Sequence, residues 1–134
     1  MRHRISGRKF GRDIKERNAL FRSLTTSFVH HGFIETSLAK AKTVQPIVEK
    51  LATRARKSPI ASFRKIHAFL QDRVATQKLI ELIKTFSPHT SGLTSIERVG
   101  IRKGDAVPVV RLSWAHGVKK AEKIEKNVMK GSKA

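Results

Sequence analysis

Cysteine is absent from the 134 residues, which excludes disulfides, thiolate nucleophiles and every Cys-ligated zinc or iron–sulfur site. Tyrosine is absent too, and Trp114 is the single tryptophan, so strand aromatics on which unpaired bases could stack are few. Acidic residues are scarce: 10 Asp and Glu stand against 29 Lys and Arg, a net charge of +19. No apolar run approaches the roughly 18 residues of a membrane helix. Phosphate-loop spacings such as GxxxxGK and GxGxxG do not occur.

What is present suits one folded domain. Hydrophobic residues make up 39% of the chain, enough for a core, and the length would leave two separate cores undersized. The charge then needs a partner. A +19 protein of this size repels itself, whereas each neutralised phosphate of a polyanion also releases condensed counterions. An anionic membrane surface would require a basic helix with large apolar residues opposite. The stretch Lys119 to Lys130 offers only Ala121, Ile124 and Val128 there. Nucleic acid is the expected partner, with no membrane and no small-molecule substrate.

Catalytic chemistry finds no foothold. The histidines are His3, His30, His31, His67, His89 and His116. His30 and His31 would point about 100° apart on a helix, poor geometry for sharing a metal. Asp13, Asp72 and Asp105 read as two helix caps and a turn, and Glu81 and Glu97 have no acidic neighbour in sequence. The expectation is no enzyme, no cofactor and no metal.

Three segments follow from composition. Residues 1–12 hold Arg2, Arg4, Arg8, Lys9 and Arg12 with no acid, and Gly7 and Gly11 interrupt them. Such a stretch cannot bury itself and reads as an extended basic arm; its two glycines argue against the amphipathic helix of a transit peptide. Residues 13–116 form the globular domain, and residues 117–134 a Lys-rich extension.

Within the domain, Asp13 and Glu16 form a capping-box pattern that opens a helix carrying Leu20, Leu24 and Phe28. Gly32 suits the left-handed residue that ends it, and Phe33 to Thr36 is a short β-type run. A second helix is expected from a Ser37 cap to about Lys57, with Leu38, Ala41, Val44, Val48, Leu51 and Ala55 on one face. Pro46 inside it predicts a kink, in preference to two helices split at Gln45. Ser58-Pro59 restarts a helix with Ile60, Phe63, His67 and Leu70, and Asp72 caps another with Val74, Leu79, Ile80 and Ile83. Ser87-Pro88 closes that segment. Ile96–Ile101 and Val107–Trp114 read as strands flanking the turn Arg102-Lys103-Gly104-Asp105. Pro108, Val110, Leu112 and Trp114 fall on one face of the later strand. The predicted class is α+β: three to four helices on a small three-stranded mixed sheet.

The cations are spread over this framework. Lys15, Arg17 and Arg22 continue the arm's charge along the first helix, and Lys40 and Lys42 begin the second. Arg54, Arg56 and Lys57 end the second helix, where ordinary dipole electrostatics accounts for them. A helix-turn-helix is not supported, because Gly32 lies between a helix and a strand. Phosphate-dominated contact with folded RNA fits better.

These residues also resemble a known family. MRHRISGR with Lys9-Phe10-Gly11-Arg12, then RNALFRSLTTSFVHHGFIETSLAKAK and TVQPIVEKL, is similar to bacterial-type large-subunit ribosomal protein seventeen. The likeness resumes at Thr94-Ser95-Ile96 and at Arg102-Lys103-Gly104-Asp105-Ala106, covering about residues 1–114. It implies a structural protein that binds and stabilises 23S-type rRNA of the large subunit, on the solvent side near the peptide exit tunnel. It also implies neighbouring large-subunit proteins and a cytoplasmic ribosome, an organellar one remaining open. Carried onto this chain, Arg2, His3, Arg4, Arg8, Lys9 and Arg12 match the arm motif, and Arg22, Lys40 and Lys42 match basic helix positions. Together with Arg17, Arg102 and Lys103 they are the expected rRNA contacts. Two departures stand out. Ser91-Gly92-Leu93-Thr94 replaces the usual Gly-Gly-Tyr-Thr, removing a tyrosine hydroxyl. Residues from about Gly117 extend past the family core.

Overall fold

The computed structural model describes residues 7–57, 59–86 and 92–115. Four helices and three strands follow the order α1 (Ile14–His31), β1 (Phe33–Ser37), α2 (Leu38–Lys57), α3 (Pro59–Leu70), α4 (Arg73–Lys84), β2 (Thr94–Ile101) and β3 (Pro108–Trp114). The helices cover one face of the sheet, so this is the α+β arrangement that the strand-late, helix-rich pattern predicts.

The sheet order is β1–β3–β2, antiparallel at both junctions. The expected mixed sheet is therefore corrected. The short β2–β3 connection forces one antiparallel pair, and β1 joins the free edge of β3 in the opposite sense. β1 and β2 do run the same way, but β3 separates them. On β3, Val110, Leu112 and Trp114 are buried while Arg111 is exposed, the alternation of a one-sided sheet. Pro108 shares their face but lies beyond the helices and is exposed. Trp114 is clasped by Phe28 and Phe86, ring centroids 4.7 and 5.9 Å away. Ile34, Val44, Val48, Leu51, Ile66, Leu79 and Ile83 complete the same core. Leu93, where the resemblance leads one to expect a tyrosine, is buried in it, and its carbonyl accepts the Ala115 amide at 2.8 Å.

Local signals differ in how well they hold. Gly32 has φ +79° and its N–H donates to the Phe28 carbonyl, ending α1 as its sequence suggests. Asp72 caps α4, accepting from the Val74 and Ala75 amides at 2.8 and 3.2 Å. Asp13 occupies the equivalent position before α1, yet its side chain makes no capping bond. Asp13 and Glu16 are both exposed, so water satisfies carboxylates that the capping box would have paired. Ser37 is the last residue of β1 rather than a free cap, and α2 follows without a loop. α2 is one helix through Pro46 and is not split at Gln45. Pro46 is exposed, so the Lys42 carbonyl it cannot bond lies on the hydrated side, where the loss costs least. The expected caps and turns at Ser58 and Ser87-Pro88 lie outside the described residues.

The β2–β3 connection is wider than the predicted quartet: Arg102 N–H donates to Val107 O at 2.9 Å, and Ala106 at φ +53° belongs to the turn. A register shift between Arg98 and Gly100 leaves Val99 as an exposed bulge on the edge strand.

Candidate nucleic-acid interface

The cations divide by where their charge is used. Arg22 of α1 points inward: Nε donates to the Phe69 carbonyl at 2.8 Å and Nη1 to Gln71 Oε1 at 2.8 Å. It thereby closes the C-terminus of α3, just past which Gln71 takes the left-handed region at φ +56°. Arg102 forks onto Asp105 across the hairpin turn, and this guanidinium holds the Asp105 carboxyl down at about 2. The same pairing raises the Arg102 pKa. Arg111 donates to Glu35 at 2.7 Å and stacks over Phe33, 5.2 Å from its ring centroid. Arg12 donates one Nη1 hydrogen to the Phe10 carbonyl at 2.9 Å but stays exposed. The planar guanidinium, with its several donors, suits these geometrically demanding places.

The remaining expected contacts among the described residues are directed less to the fold. Arg8, Lys9, Lys42 and Lys103 are exposed, while Arg17 and Lys40 are half-buried. None of the six makes a hydrogen bond or ion pair through its side chain among the described residues. Lys40 and Arg102, 62 residues apart in sequence, meet at a cleft of about 460 Å³ with Glu35, Thr36, Ser37, Val107 and Val109. Arg2, His3 and Arg4 lie outside the described residues.

Residues 9–12 are not extended as expected. They turn back, with Arg12 N–H donating to Lys9 O at 3.2 Å, and Phe10 packs edge-on against Phe21 of α1 at 6.0 Å. That aromatic contact gives the base of the arm the local anchor that its charge alone could not supply.

His30 and His31 serve the fold. His30 Nε2 lies 2.7 Å from Asp72 Oδ2, and Lys78 Nζ donates to the His30 carbonyl at 2.7 Å. The C-terminus of α1 is thus tied to the N-terminus of α4. The His30 hydrogen bond, seconded by the Ala75 and Val74 amides, holds the Asp72 carboxyl below its usual range. His31 Nδ1 sits 2.9 Å from the Ser27 carbonyl. Among the described residues no group of three or more His, Asp or Glu could hold a metal, and no helix is long and apolar enough to cross a membrane.

The open face of the sheet is a different surface. Glu35, Arg111 and Glu97 stand side by side across β1, β3 and β2, and Ser95 and Ser113 hydrogen-bond at 3.2 Å. Its charges largely cancel one another. The solvent side of α2, by contrast, carries Lys50, Arg54 and Lys57 beyond the expected Lys42. Dipole compensation explains only the last turn of that helix; applying the helical period to charged as well as apolar positions exposes the rest.

Comparison with known sequences agrees with this geometry. A model of the family described as ribosomal protein L17 matches residues 20–115, from α1 to the end of β3. The large ribosomal subunit protein bL17 of Thermomicrobium roseum is 44% identical over 115 residues, spanning 85% of this chain and 98% of that protein. The bL17 of Campylobacter lari is 45% identical over the same shares. That of Helicobacter hepaticus is 40% identical over 107 residues, 79% of this chain and 92% of its own. These relatives bear the names of ribosomal proteins, not of enzymes. The chain belongs to the ribosomal protein L17 family.

Proposed function

We propose that this protein is a structural constituent of the large ribosomal subunit, stabilising folded 23S-type rRNA by phosphate contacts and serving translation. The observation that carries the reading is the set of exposed or half-buried cations Arg8, Lys9, Arg17, Lys40, Lys42 and Lys103, whose side chains are unpaired among the described residues, on a chain whose relatives are named as large-subunit proteins. Residues 1–12 act as the penetrating arm, with Arg2, His3, Arg4, Arg8, Lys9 and Arg12 at phosphates. Residues 13–116 dock as a globular body, and residues 117–134 form an extension. The site on the subunit is the solvent side near the peptide exit tunnel, beside other large-subunit proteins, in a cytoplasmic or organellar ribosome.

Such contacts release counterions, so affinity falls with salt at about 0.7 to 0.9 logarithmic units per phosphate contact. Replacing Arg2, Arg4 and Arg8 by Ala flattens the dependence of rRNA-fragment affinity on salt by about two to three units. An unchanged slope rejects the arm's role. In a sucrose gradient at moderate salt the intact protein co-sediments with large subunits. Recovery at the top of the gradient would point instead to a free nucleoid-type or mRNA-binding protein.

A further inference from the structure

Building on the rRNA-binding reading, we infer that the solvent face of α2 is a second, arm-independent contact for the RNA phosphate backbone, built from Lys50, Arg54 and Lys57 continuing from Lys42. At 100° per residue these four side chains, with Pro46 and Thr53 between them, fall within about 120° of the helix circumference. Val44, Val48, Leu51 and Ala55 lie on the opposite side, against the core. From Lys42 to Lys57 the ridge runs about 22 Å at 1.5 Å per residue. That length lets it lie along several successive phosphates of one strand.

Three observations separate the ridge from an ordinary solvated face. Lys42, Lys50, Arg54 and Lys57 are exposed, and none forms a hydrogen bond or ion pair through its side chain among the described residues. The one acidic residue of α2, Glu49, accepts from Thr94 Oγ1 at 2.9 Å and so is engaged toward β2 rather than with the ridge cations. Lys42 and Lys50 lie outside the last turn, where the helix dipole would explain them. Pro46, Glu49, Lys50, Thr53, Arg54 and Lys57 also border a shallow groove of about 430 Å³, a concavity in which a backbone can seat. Double-helical RNA is read through such phosphate and shape contacts rather than through base edges.

The test uses the full-length chain and a transcript of a large-subunit rRNA domain, with affinity measured against salt. The ridge variant is K50Q/R54Q/K57Q, the arm variant R2A/R4A/R8A, and the charge-matched control K65Q/R73Q/K84Q on exposed positions of α3 and α4. Far-ultraviolet circular dichroism verifies that each is folded. The ridge variant is expected to flatten the salt slope by about two units, additively with the arm variant, while the control changes it by less than one. A flattened slope for the arm with none for the ridge overturns the ridge and leaves the rRNA reading standing. Equal losses for ridge and control overturn the ridge in favour of bulk charge. No change in either arm or ridge removes the rRNA reading itself, and the ridge with it.

Discussion

Arg22 and Lys50 carry the same charge on helices packed against the same core, yet they are put to opposite uses. Arg22 bridges α1 to the end of α3 through Phe69 and Gln71. The Lys50 side chain makes no hydrogen bond or ion pair among the described residues and joins a row of cations facing outward. The junction between α1, α3 and α4 consumes its charge internally: Arg22 at one end, and His30, Asp72 and Lys78 at the other. On the solvent side of α2, Lys42, Lys50, Arg54 and Lys57 have no side-chain hydrogen bond or ion pair among the described residues. Net charge therefore overstates what is offered to a polyanion, since cations that satisfy helix ends or carboxylates are already committed. Which cations are free is a property of the fold, not of composition.

The contrast can be pressed hardest at Arg22. Its replacement by Ala leaves the Phe69 carbonyl and the Gln71 amide without their charged donor, a loss of about 1 to 3 kcal/mol. Thermal unfolding should show a lower melting temperature while the salt slope of RNA binding stays near that of the wild type. A flattened slope with unchanged stability would move Arg22 into the RNA-facing group.

At the other end of the junction, Asp72→Asn keeps a capping oxygen for α4 but removes the charge facing His30. The folded-state pKa of Asp72 is depressed. Its contribution is therefore fully present above the unfolded value near 3.9 and disappears as pH falls through the lower folded value. Melting curves should show the wild type more stable than D72N at neutral pH, with the gap closing below roughly pH 4. A gap that persists undiminished into stronger acid would show that the Asp72 charge is not what ties α1 to α4.

The smallest effect belongs to the open sheet face. Arg111 and Glu35 are both about half exposed, and pairs of that kind contribute about 0.2 to 1 kcal/mol. Arg111→Ala should lower stability by about 0.5 kcal/mol in urea unfolding, the loss shrinking in high salt. A loss of several kcal/mol would give this face a structural weight like that of the α1–α4 junction.

Local backbone chemistry was the most legible part of the sequence. Gly32 and Asp72 act within three or four residues of themselves, and β3 shows its buried face by simple alternation. Asp13 has the same local pattern but not the same outcome, because an exposed cap competes with water. The direction of β1 relative to β3 was not readable, since strands 70 residues apart carry no local mark of how they pair. The family resemblance supplied the class of partner. It could not sort the cations: Arg22 finds Phe69 and Gln71 at separations of 47 and 49 residues, which periodicity cannot foresee. The α2 face was legible in principle, since its charges repeat with the helix, but Arg54 and Lys57 had a sufficient local explanation in the helix dipole.

The central claim is that outward cations bind RNA while inward ones hold the fold. Its most direct test is the salt dependence of rRNA-fragment affinity for the wild type, R2A/R4A/R8A and R22A, measured side by side at a temperature where all three are folded. The account predicts that the arm variant loses about two to three units of slope and that R22A coincides with the wild type. Equal slopes for all three, or a loss in R22A matching one arginine's share of the arm loss, would contradict it.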